Sequence, residues 1–167
     1  GNIDAQVALI TFFRQQNMYE DTAMDYILQV VDSEEPSSDL AMSFDTLFRN
    51  LPVQKKATWE LAKQYADSQM VLLQCHGYLA FLNRLAVIKP ELTLKCINRF
   101  AAVTPSDTRT IAAVTDIVLK TYNNIRKYDD PDMSHELEQA MDILDKVIEL
   151  NHGFANIKNF IHQLDND

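Results

Sequence analysis

The chain has 167 residues, enough for one domain with a core of its own. Hydrophobic residues make up 47% of it, too many for a disordered segment. A formal charge of −9 argues against general nucleic-acid binding, which depends on a basic footprint.

The sequence opens on Gly1 rather than Met and shows no signal-peptide pattern, as expected of a fragment of a longer protein behind a tag scar. Apolar residues then recur at helical spacing. Ile3, Val7, Ile10 and Phe13 line one face of a first helix. Ala23, Ile27, Val30 and Val31 mark a second, and Leu40, Phe44, Leu47 and Leu51 a third. Trp59, Leu61, Ala62 and Tyr65 mark a fourth, which either runs on into the most apolar stretch, MVLLQCHGYLAFLNRLAVI over 70–88, or breaks before it. That stretch is long enough for a bilayer, but Gln74, His76, Asn83 and Arg84 inside it point to a heavily buried soluble helix.

Further along, Leu92, Cys96, Ile97 and Phe100 define a sixth helix, and Ile111, Val114, Val118, Tyr122 and Ile125 a seventh. Leu137, Met141, Leu144 and Ile148 give an eighth, and Phe154, Ile157, Ile161 and Leu164 a ninth. The five prolines fall between these stretches, where the missing amide does least harm. In Thr104-Pro105-Ser106-Asp107, Thr104 is placed to cap, Pro105 to open the helix and Asp107 to sit in its first turn. Only three glycines occur, too few for a turn-rich β fold. The expectation is a single all-α domain over 1–167: eight or nine antiparallel helices in a right-handed superhelical stack or an irregular bundle. Leu72, Leu79, Leu82, Ile97, Phe100, Val114, Val118, Leu144 and Ile148 should be buried in it.

No strict period of about 34 or 40 residues runs through the chain. A helix hairpin with a Pro-marked break over 89–127 nevertheless resembles a degenerate HEAT or armadillo repeat. The last stretch, AMDILDKVIELNHGFANIKNFIHQLD, resembles the closing helix pair of large helical-repeat regulators of bacteria. The resemblance covers mainly residues 89–164 and rests on pattern. It implies a scaffold or sensor role and carries no functional residues across.

Two places invite a chemical reading. Gln74-Cys75-His76-Gly77-Tyr78 looks like a fragment of an active site. Adjacent helical residues point about 100° apart, so Cys75 and His76 do not face one another as a nucleophile and its base must. Val71, Leu72, Leu79 and Leu82 surround the thiol with apolar groups, a setting that makes it inert. Gly77 reads as a close helix crossing or a break between helices. With only Cys75 and Cys96, no disulfide framework is expected, and a reducing, cytoplasmic setting fits. The second place is Glu149-Leu150-Asn151-His152, with a weaker copy at Asp132-Met133-Ser134-His135. A di-iron bundle needs two such helices and two more inward glutamates, which the other apolar stretches lack. His152 before Gly153 reads as the end of a helix. No metal and no cofactor is expected.

Charge is the clearest surface signal. Residues 84–127 carry +5, while 1–83 carry −6 and 128–167 carry −8. Lys95 and Arg99 share a helix face, and Arg109 and Lys120 lie three turns apart. Glu138, Asp142, Asp145 and Glu149 form an acidic stripe opposite Leu137, Met141, Leu144 and Ile148. These eight residues are the candidate contacts of a non-enzymatic interaction or regulatory domain whose partner is another protein or another part of the parent chain. The same charges could also pair internally or simply be solvated. The alternatives are a metal-dependent helical enzyme using His135, Glu149 and His152, and a nucleic-acid-binding helical repeat. For the latter, Phe100 and Tyr122 sit at core spacing, where they offer no stacking face.

Overall fold

Helical periodicity becomes helix along the chain. The computed structural model describes residues 2–33, 36–103, 107–128 and 142. Seven α-helices stand among them, α1 (Asn2–Gln15), α2 (Asp21–Ser33), α3 (Ser38–Asn50), α4 (Lys56–Asp67), α5 (His76–Ile88), α6 (Pro90–Val103) and α7 (Thr108–Tyr128), with one 3-10 turn at Gln69–Leu72 and no strand among the described residues. The fold is all-α. The helices expected over 137–148 and 154–164 lie outside the described residues, as do Leu144 and Ile148.

The starts of the helices follow local chemistry. Ser37 caps α3 by accepting the Leu40 amide at 3.5 Å. Pro90 is the first residue of α6, the position that needs no amide hydrogen. α7 begins later than expected from Pro105. Asp107 is its cap, accepting the Thr110 amide and hydroxyl at 2.8 Å each, while its carbonyl takes the Ile111 amide.

The stretch 70–88 is not one buried helix. Met70 and Val71 are buried, but Leu72 and Leu73 are 47% and 46% exposed, which corrects the expectation for Leu72. The backbone passes through the 3-10 turn and restarts as α5 at His76. The reason lies one residue on, at Gly77. A Cβ there would overlap the carbonyl oxygen of Asp45, so α5 begins where the chain touches α3. The other described core expectations hold: Leu79, Leu82, Ile97, Phe100, Val114 and Val118 are all buried.

The chain divides into two units, Gly1–Arg84 and Leu85–Asp167, with the boundary inside α5. In the first, the heaviest helix pairing joins alternate helices. α1 packs on α3 and α2 on α4, while α1 touches α2 only lightly. α5 runs beside α3 in the same direction, the contact advancing from Asp45–Gly77 through Phe48–Phe81 to Leu51–Arg84. Between them sits an aromatic cluster: Phe48 lies 4.9 Å from Tyr65, 5.0 Å from Tyr78 and 5.4 Å from Phe81. All four side chains are fully buried. In the second unit α6 packs on α7. Asn124 on α7 donates to the Ala86 carbonyl at 3.4 Å.

Two substitutions test this arrangement. Gly77→Ala forces a methyl into backbone, which cannot yield as a side chain can, and should cost about 3 kcal/mol or more. Phe48→Ala should cost about 3–5 kcal/mol. Denaturant unfolding measures both, and a loss below about 1 kcal/mol for Gly77→Ala would contradict the crossing.

Candidate functional site

Cys75, His76 and Gly77 occupy the start of α5, facing the middle of α3. The amide of Gly77 donates to Oδ1 of Asp45, whose other oxygen lies 3.6 Å from Nε of Arg49. A carboxylate at the positive end of a helix is favourable, so Asp45 caps α5 from a different helix. Cys75 is buried and its carbonyl takes the Leu79 amide. Tyr65 donates its hydroxyl to the Gln74 carbonyl at 3.1 Å. The Gln74 carbonyl, the Cys75 carbonyl and the Gly77 amide are thus all engaged at the start of α5.

The same use of polar tips recurs. Tyr78 donates to the Ala62 carbonyl at 2.7 Å, and Trp59 to the Val53 carbonyl at 2.7 Å. Arg84 donates to the carbonyls of Leu51 at 2.8 Å and Phe48 at 2.9 Å, closing the negative end of α3. Desolvation by burial lowers the Arg84 pKa from its ordinary value. Tyr65 is pushed far above the ordinary tyrosine value by burial, then by the Asp45 carboxylate and Cys75. Burial also raises Tyr19, with Arg14 opposing.

The charged candidates are spread along the second unit. Lys95 and Arg99 are exposed on one face of α6, and Lys95 pairs with Glu91 at 3.3 Å. Arg109 is exposed in the first turn of α7, and Lys120 is half-buried three turns on. Asp142 is exposed, while Glu138, Asp145 and Glu149 lie outside the described residues. Phe100 is fully buried and offers no stacking face. His135 and His152 also lie outside the described residues. Among those described, no three His, Cys, Asp or Glu side chains come together at metal-holding distance. No described helix is long and apolar enough to cross a membrane.

Periodicity did not single out the outer face of α1. Leu9 is 36% and Phe12 49% exposed, and Ala5 and Ala8 beside them are exposed too. Inward, the same helix buries Ile10 and half-buries Ile3, Val7 and Phe13, so it is apolar on both sides. That two-sidedness is the sequence signal. Next to the stripe, a groove of about 400 Å³ runs between α1 and α3, lined by Ala8, Thr11, Met42 and Thr46, with Asp4 and Asp39 among its polar groups. Met42 is 57% exposed. A second hollow of about 560 Å³ lies at the ends of α2 and α4, with Asp32 and Asp67 among its lining residues.

No family model, curated protein or solved structure matches the chain.

Two measurements follow from the start of α5. Cys75 and Cys96, both buried, should react slowly with a thiol reagent in the native state and rapidly once unfolded. Fast native labelling of Cys75 would restore the active-site reading. Because the folded state raises the pKa of Tyr65, it holds that proton more tightly than the unfolded chain does. Stability should therefore be intact below pH ~10 and fall as pH rises beyond the unfolded tyrosine value. Tyr65→Phe should flatten that alkaline loss, and an unchanged slope would contradict the assignment.

Proposed function

We propose that this chain is a non-enzymatic interaction or regulatory domain, a scaffold or sensor module of a larger cytoplasmic protein. The observation that carries this reading is the uncovered apolar stripe of α1, bordered by a groove with Met42 exposed on its far side. Isolated exposed hydrophobics are ordinary, but neighbouring ones on one helix face mark contact surfaces. Cys75 is buried and Gly77 sits in the close crossing with α3, which supports packing rather than catalysis at the start of α5. Lys95, Arg99, Arg109 and Lys120, with the acidic stripe of Glu138, Asp142, Asp145 and Glu149, are proposed as further contacts that set partner choice.

The fold proposed with this function is a right-handed superhelical stack of eight or nine helices, akin to a degenerate HEAT or armadillo array. Its support is the pairing of alternate helices, α1 with α3 and α2 with α4. Stacked hairpins place every second helix in the same row.

Affinity capture from the source cell tests the functional reading. The native chain should retain a defined protein partner in stoichiometric amount. Phe12→Glu, or reversal of Lys95 and Arg99 to Glu, should reduce recovery at least tenfold with helix content unchanged. Capture that survives both changes would overturn the assignment of these faces. Stoichiometric iron, manganese or zinc in the purified chain would favour the enzyme instead.

A further inference from the structure

We draw no further inference here: the strongest candidate, the hollow of about 560 Å³ at the ends of α2 and α4, rests on the exposed carboxylates of Asp32 and Asp67 beside a partly exposed Gln64, and nothing in the structure points to the ligand that would fill it.

Discussion

One close approach organises the first unit: Gly77 of α5 lies against the backbone of α3 at Asp45, a spacing that no side chain at 77 would permit. The absence of a Cβ brings two parallel helices together, and the carboxylate of Asp45 then takes the amide that the start of α5 would otherwise leave unpaired. From that point the two helices run in register. Phe48 meets Tyr78 and Phe81, and Arg84 reaches the last carbonyls of α3. The broken stretch before α5, with Leu72 and Leu73 left in solvent, follows from the same constraint, because a helix continuous with α4 could not deliver Gly77 to that place.

Several polar tips of this core reach backbone carbonyls of a neighbouring helix or turn. Tyr65, Tyr78, Trp59 and Arg84 each donate to a backbone carbonyl. An unpaired buried carbonyl would cost about 1–3 kcal/mol, so the tips that reach Val53, Gln74 and Leu51 stabilise the turns there, while Tyr78 ties α5 to the middle of α4. Five buried threonines, Thr58, Thr93, Thr110, Thr115 and Thr121, solve the same problem locally. Their hydroxyls bond to carbonyls three or four residues back, or to the cap Asp107. Outside this core, the described surface carries the apolar stripe of α1, Met42 beside its groove, and exposed charges on α6 and α7.

Much of the helix pattern was legible because it depends on spacing. Ile10, Ile27, Phe44, Leu61, Ile97 and Val118 were all expected in the core from periodicity of about 3.6 residues and are buried. Other features depend on what is near in space and left no such mark. The start of α5 is set by Asp45, 32 residues away, so apolar content alone made 70–88 look continuous. The threonines were passed over because a hydroxyl reads as polar until its own helix satisfies it. The pairing of alternate helices cannot be read from loop length. For the site, Lys95, Arg99 and Arg109 are exposed, whereas the α1 stripe was missed because only the face of Ile3, Val7, Ile10 and Phe13 was followed and Leu9 and Phe12 were passed over.

Hydrogen exchange at the Gly77 amide tests the central constraint most directly. At an ordinary helix start the first amides are open to water and exchange fast. Here the Gly77 amide is buried and held by Asp45, so its protection should match that of the core amides of α3. Asp45→Ala should strip that protection from Gly77 while amides in the middle of α3 keep theirs. A Gly77 amide in the native chain that exchanges as quickly as the exposed turn at Leu72 and Leu73 would contradict the account.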